Sequence, residues 1–176
     1  MDDRRHLSRR IFLRRTLLGS VALSTARFLP TIDSSVLSSD LKSPLLYFSE
    51  RELVIVKAVA DRIIGDGSPS ASDVDAALRA DAFLAGADPE VQDQFHQLLT
   101  VFNNPVFTFL WDFRFGSFVN MSDADKDSYL EDWMTSILGF RRTGFQALKR
   151  VCMSVYYTEP HSWQSIGFDD SFVPAK

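Results

Sequence analysis

The chain carries a succession of helix-start signals, and each is followed by apolar residues spaced three or four positions apart. Ser49-Glu50-Arg51-Glu52 has the form of a capping box, in which the serine hydroxyl and the glutamate carboxylate each accept a hydrogen bond from a free main-chain amide. Asp88-Pro89-Glu90 and Ser122-Asp123-Ala124-Asp125 are further starts of this kind. Apart from one aromatic segment, no stretch alternates as a strand does. The sequence predicts an all-α fold, a single irregular bundle of five to seven helices.

The predicted helices each present one apolar stripe to a common core. The second helix is expected to begin at Ser72 or Asp73, and the last to run from about Arg141 to Tyr156, with Gly139 ending the helix before it. The residues expected to face the core are Leu53, Val56, Ala60, Ile63, Val74, Ala77, Leu78, Phe83, Val91, Phe95, Leu98, Leu99, Phe102, Leu130, Trp133, Met134, Ile137, Phe145, Leu148, Val151, Cys152 and Val155.

Residues 105–118 are packed with aromatic side chains. These are Phe107, Phe109, Trp111, Phe113, Phe115 and Phe118. Their odd-numbered alternation is compatible with a strand, but the length of the segment and its helical neighbours favour a buried helix. We therefore expect this segment to lie in the core.

Composition excludes several classes of protein. The 176 residues are enough for one domain with a real core. A single cysteine, Cys152, rules out a disulfide framework and any multi-cysteine metal or haem site, and three histidines leave little for a metal centre. A net charge of -4 argues against nucleic-acid binding, which needs clustered basic residues.

Charge is distributed unevenly along the chain. Residues 1–26 hold six arginines against two aspartates, a net charge of +4, whereas the rest holds 13 basic and 21 acidic residues, a net charge of -8. Arg9 and Arg10, one spacer, Phe12, Leu13 and a further basic residue precede a short, weakly apolar run. This pattern resembles a twin-arginine export signal, which implies delivery of a folded protein to the periplasm. A disordered basic arm is the alternative.

The charge boundary also suggests a division of the chain. We expect residues 1–26 to form the export signal, residues 27–46 a linker or N-terminal arm, and residues 47–176 the helical domain.

A search for chemistry in the sequence finds no catalytic, cofactor-binding or metal-binding motif. There is no dinucleotide-type glycine pattern, no phosphate loop and no recognisable Ser-His-Asp set. Asp123, Asp125 and Asp127 lack the glycine and the distal glutamate of a calcium loop, and acids are favoured in a first helical turn. Cys152 is expected to be a small buried hydrophobe, and His96 a surface or interface residue. We do not expect an enzyme acting alone.

The C-terminal segment carries the strongest remaining signal. Its Tyr-Tyr-x-x-Pro-x-Ser-Trp-x-x-Ile-Gly-Phe pattern resembles the closing motif of the gluconate 2-dehydrogenase subunit 3 family. The residues that match are Tyr156, Tyr157, Pro160, Trp163, Ile166, Gly167 and Phe168. We expect these residues to shape a partner-binding surface; the alternative for Trp163 is packing against the subunit's own last helix.

Other segments extend the resemblance over roughly residues 47–172. Residues 60–66, residues 88–91 and the Arg-Arg-x-Gly-Phe stretch at residues 141–145 are similar to family motifs. The sequence departs from the family pattern at Gly65, where proline is common, and at Phe168, where tyrosine is common.

The resemblance implies a role within a complex. Members of this family are the small, or gamma, subunits of dehydrogenases whose large subunit is an FAD-binding, glucose–methanol–choline-type flavoprotein without its own leader. The small subunit has no active site; it assists the flavoprotein and carries it through the twin-arginine translocase as a hitchhiker. FAD then belongs to the partner, and haem c to a multihaem cytochrome c that often joins the complex at the membrane face. An exported helical protein that binds a small ligand alone, with residues 107–118 lining its pocket, is the alternative.

Overall fold

The computed structural model describes residues 44–65, 68–163 and 167. Within these ranges the secondary structure is helical, without strands, which confirms the predicted all-α class. The helices are α1 (Glu50–Ile64), α2 (Ala76–Ala85), α3 (Pro89–Phe102), α4 (Pro105–Asp112), α5 (Asp123–Thr135), α6 (Gly139–Tyr157) and the short α7 (Pro160–Trp163), with a 3-10 turn at Phe118–Asn120 between α4 and α5.

The core lies around α6, the longest of these helices. It packs against α1, α2 and α5, while α4 sits at the edge of the bundle against α3. Phe145, Leu148, Val151, Cys152 and Val155 are buried along α6, as the three- and four-residue spacing predicts. The predicted stripes of α1 and α3 are also buried at most positions.

Two helix starts form as the sequence predicts. The Ser49 Oγ accepts a hydrogen bond from the Glu52 amide at 3.4 Å, and the Glu52 carboxylate accepts one from the Ser49 amide at 2.9 Å. Ser122 Oγ likewise accepts from the Asp125 amide at 3.3 Å. Asp88 stands at the predicted cap position before α3 without a side-chain cap bond. Both serine caps satisfy amides that the helix itself leaves free.

Two predicted boundaries are wrong. The Asp73 carboxylate accepts from the Ser70 amide at 2.8 Å, which closes a turn, and α2 begins only at Ala76. Gly139 begins α6 rather than ending α5, which already stops at Thr135. An aspartate can cap a helix or close a turn, and a glycine can end one helix or begin the next. The sequence pattern favours the first alternative in each case, and the structure has the second.

Four residues of the predicted apolar stripes are exposed. They are Phe83, Val91, Met134 and Ile137, of which Ile137 is the most open with 94% of its surface accessible. Ile137 lies in the link between α5 and α6, because α5 ends at Thr135, before the apolar spacing reaches this residue. The other three lie at the edges of helical stripes, where a small rotation of the helix decides burial.

A buried carboxylate ties the beginning of the domain to α2. The Asp81 side chain accepts hydrogen bonds from the amides of Leu46, Tyr47 and Phe48 at 2.7, 2.9 and 2.6 Å. Only 3% of Asp81 is accessible to solvent. These bonds hold the chain as it enters the described domain, just before the capping box of α1.

Within the described ranges, none of the helices is both long enough and apolar enough to cross a lipid bilayer.

Candidate partner-binding surface

Helix α4 has its polarity inverted relative to an ordinary surface helix. Thr108 is fully buried, and the side chain of Asp112, four residues later, is 7% exposed. Val106, Phe109 and Leu110 point outward. A surface helix normally turns its apolar stripe to the core. The predicted helix thus exists as far as Asp112, but the prediction that its aromatic side chains are buried is wrong for most of them.

An ion pair beneath α4 accounts for the inversion. The Arg141 guanidinium donates to both carboxylate oxygens of Asp112, Nη1 to Oδ1 at 3.0 Å and Nη2 to Oδ2 at 2.8 Å. Both side chains are 7% exposed. A buried charge requires a partner of opposite charge. Arg141 is that partner for Asp112, and it donates one hydrogen bond to each carboxylate oxygen. Helix α4 must therefore turn its Asp112 side toward α6.

Aromatic rings complete the surroundings of this ion pair. The guanidinium carbon of Arg141 lies 5.3 Å from the centre of the Trp133 ring and 6.0 Å from that of Tyr129. The Tyr129 hydroxyl donates to the Phe102 carbonyl at 2.9 Å, and its burial raises the pKa of Tyr129 to about 12. The cation thus rests on ring faces inside the bundle.

The outward side of α4 and the residues after it form an apolar surface. We call it the α4 outer face and define it by Val106, Phe109, Leu110, Phe113 and Phe115, all of them exposed. Phe113 and Phe115 protrude most, with 79% and 86% of their surfaces accessible. The Phe109 ring centre lies 6.2 Å from that of Phe113 and 5.1 Å from that of Phe115. The three rings form one cluster, and Val106 and Leu110 share its helix face through the three- and four-residue spacing of the five residues' helical members.

A stacked pair borders this patch on the side of α6. The rings of Phe107 and Trp111 are nearly parallel, at an angle of 4° with centres 4.7 Å apart. Trp111 also meets Phe140, the second residue of α6, edge-on at 5.9 Å. The cavity under these rings has a volume of about 10 Å³, room for a single water molecule. This part of the aromatic segment does not enclose a small-molecule ligand.

The chain after α4 is held in an unusual conformation. Phe113 has a φ of 54°, the left-handed region that bulky residues rarely adopt, and its amide donates to the Phe109 carbonyl at 3.0 Å. Arg114 then donates to the Asp125 carbonyl, to Ser128 Oγ and to the Asp132 carboxylate, at 3.0, 2.8 and 2.8 Å. These bonds to α5 fix the backbone that presents Phe113 and Phe115 to solvent.

The described part of the C-terminal motif is divided between core and surface. Tyr156 is buried and donates its hydroxyl proton to the Pro69 carbonyl at 2.9 Å, whereas Tyr157, Pro160 and Gly167 are exposed. Trp163 is half-buried, and its Nε1 donates to the Tyr157 carbonyl at 2.9 Å. Ile166 and Phe168 lie outside the described residues, as do Arg9, Arg10, Phe12 and Leu13 of the export signal.

The polar side chains of the described ranges offer no assembled metal site. No group of three or more His, Cys, Asp or Glu side chains there could hold a metal ion. Cys152 is buried as predicted, and burial raises the pKa of its thiol to about 12, so it is not a reactive thiolate. The Nδ1 atom of His96 lies 2.5 Å from the Glu52 carboxylate and its ring packs on Tyr47, so this histidine links α3 to α1.

Sequence reasoning missed the Asp112–Arg141 pair. The signal available was the spacing of Thr108 and Asp112, the polar residues four positions apart within an otherwise apolar helix. Residues at this spacing share a helix face, and a buried acid needs a cation. In the sequence, Arg141 marks the expected start of the last helix and the beginning of a family-like stretch, and neither indicates a buried ion pair.

A small helical bundle with an exposed aromatic face is typical of a subunit that binds another protein. Comparison with protein families makes this specific: residues 50–170 match the model of gluconate 2-dehydrogenase subunit 3. The chain therefore belongs to the gluconate 2-dehydrogenase subunit 3 family and is a subunit of a dehydrogenase complex, associating with other subunits of that complex. Comparisons with curated proteins and with solved structures gave no match.

Proposed function

We propose that this chain is the non-catalytic small subunit of an FAD-dependent dehydrogenase of the glucose–methanol–choline type. In this role it binds the flavoprotein subunit, assists its folding and stability, and carries it through the twin-arginine translocase to the periplasm. FAD belongs to the flavoprotein, and haem c to a cytochrome subunit where one joins the complex.

The observation that carries this proposal is family membership combined with the exposed aromatic face. A subunit of a dehydrogenase complex needs a surface for its partner, and apolar patches of this kind mark protein–protein contacts. The twin-arginine-like leader supplies the reason for export of a folded, cofactor-loaded passenger.

Co-purification tests the proposal. The full chain is tagged and expressed together with its neighbouring genes, and the eluate is examined for flavin absorbance and for dehydrogenase activity. We expect a yellow complex in which both chains are present, and we expect the chain purified alone to be colourless and inactive. Recovery of the chain alone from the co-expression, or dehydrogenase activity of the single chain, would contradict the proposal.

A further inference from the structure

We infer that the α4 outer face is the principal docking surface for the flavoprotein subunit and that the Asp112–Arg141 pair is the device that positions it. This inference rests on the proposed function and adds the place of contact. It assigns the main contact to Val106, Phe109, Leu110, Phe113 and Phe115, rather than to the C-terminal motif.

Helix α4 is oriented with its polar side chains toward the core and its apolar side chains toward solvent. Within one helix, the polar residues Thr108 and Asp112 are buried while Phe109 and Leu110 are exposed. In a protein that worked alone, the opposite orientation would remove more apolar surface from water. The bidentate Arg141–Asp112 pair fixes the orientation that leaves the apolar side open. The apolar side is therefore covered by something else in the working assembly.

The apolar area of the α4 outer face is close to that of a protein–protein interface. Taking a fully exposed large side chain as roughly 200 Å², the five residues offer about 600 Å² of apolar surface. This is at the upper end of what monomeric proteins leave open and close to the roughly 800 Å² that each partner contributes to a standard interface. The face can thus supply most of the core of a stable interface.

The shape and the charge of the α4 outer face identify the partner that covers it. Phe113 and Phe115 protrude, so the receptor must be concave and apolar, whereas a second copy would oppose the same protruding rings. Arg114, the charged residue between them, is bonded to α5 and leaves the face without a free charge. A membrane surface is disfavoured because residues 27–176 carry a net charge of -8, and helices that lie on bilayers display basic residues. A hydrophobic cleft on the flavoprotein of the same complex fits these constraints.

Charge substitution on the face provides the test, with a matched control elsewhere on the chain. The test variant is Leu110→Glu/Phe115→Glu; the control is Leu46→Glu/Phe83→Glu, the same residue types at exposed positions near α2. Each tagged full chain is co-expressed with the flavoprotein, and flavin recovered per tagged chain is measured. We expect the test variant to recover at least tenfold less flavin than the wild-type chain and the control to recover a wild-type amount. Thermal unfolding of each purified chain reports whether it is folded.

Several outcomes would overturn the inference. One is a folded test variant that retains wild-type flavin recovery, which leaves the proposed function standing; another is an equal loss in the control. If the wild-type chain recovers no flavoprotein, the proposed function itself fails. If light scattering shows that the wild-type chain is a dimer and that the test variant is a monomer, the face is assigned to a second copy of the chain. Flotation of the wild-type chain, but not the test variant, with phosphatidylglycerol vesicles would assign it to a membrane.

Discussion

At the scale of single residues, Asp81 holds the start of the described domain against α2. Its buried carboxylate accepts hydrogen bonds from three successive main-chain amides, those of residues 46–48. Hydrogen bonds to a charged acceptor are stronger than neutral ones, and removal of the acceptor leaves buried donors without a partner. Three main-chain amides of the entering chain thus depend on one side chain.

Asp81→Ala is expected to lower the free energy of unfolding by about 3 kcal/mol, because the buried Phe48 amide loses its acceptor and the part-buried amides of Leu46 and Tyr47 lose a charged one. Asp88→Ala is the matched control, since Asp88 makes no side-chain cap bond and should change stability by less than about 0.5 kcal/mol. Urea unfolding followed by circular dichroism measures both. Equal stability of the two variants would contradict this role for Asp81.

At the scale of helices, Gly144 sets the approach of α6 to its neighbours. A methyl group added there would lie 2.6 Å from Leu98 Cδ1 and 2.8 Å from Trp133 Cζ3. We expect Gly144→Ala to lower the free energy of unfolding by about 2 kcal/mol through overpacking. Gly139→Ala, at the start of the same helix, meets no atom within 4 Å and should be neutral or slightly stabilising. Thermal melts of both variants measure the difference, and a Gly144→Ala protein as stable as Gly139→Ala would refute the packing argument.

The contact between α1 and α5 makes stability depend on pH. Arg62 donates to both carboxylate oxygens of Asp127, at 2.6 and 2.5 Å, and these hydrogen bonds lower the pKa of Asp127. A carboxyl group whose pKa is lower in the folded state stabilises the fold above its unfolded pKa, and this contribution is lost as pH falls through the folded pKa. We expect Asp127→Asn to be less stable than the wild-type chain at pH 7, by at most about 1 kcal/mol because the pair is partly exposed.

The same difference should shrink as pH falls below about 4, where the Asp127 carboxyl group of the unfolded chain takes up a proton while the folded carboxylate, whose pKa is lower, is still ionised. Urea unfolding at a series of pH values measures it. Glu131→Gln, at an exposed position of the same helix, controls for the loss of one negative charge. A stability difference between the wild-type chain and Asp127→Asn that stays constant down to pH 3 would show that the ion pair contributes nothing.

The sequence predicts those helices whose signals are local. For α1 and α5, a serine cap and a regular apolar spacing depend only on residues a few positions apart, and α6 follows from its spacing alone. The orientation of helix α4 does not follow from such signals, because it is set by Arg141, 29 residues beyond Asp112. Apolar composition alone predicts burial, so the sequence predicts a core segment where the candidate surface lies. The C-terminal residues rest on family likeness, and that likeness carries no information on burial.

At the scale of the whole molecule, the proposed export role raises the question of what a translocase would recognise in the basic N-terminal segment. Residues 1–26 carry a net charge of +4 and the remainder a net charge of -8, so a general electrostatic effect and a specific arginine motif make different predictions. A general effect depends on charge alone, and lysine preserves it. Specific recognition of the paired guanidinium groups would be lost when arginine is replaced by lysine, because the lysine ammonium group lacks the planar shape and the several donors of a guanidinium group.

We therefore expect Arg9→Lys/Arg10→Lys to leave both this chain and its flavoprotein in the cytoplasm, measured by cell fractionation and by flavin-linked dehydrogenase activity in the periplasmic fraction. Arg4→Lys/Arg5→Lys is the matched control, since it changes another arginine pair of the same leader outside the motif and should export normally. Export by both variants would show that charge alone suffices. Periplasmic flavoprotein in cells where this chain stays cytoplasmic would show that the passenger crosses without it, and the carrier role would then be lost even if the two chains still bind.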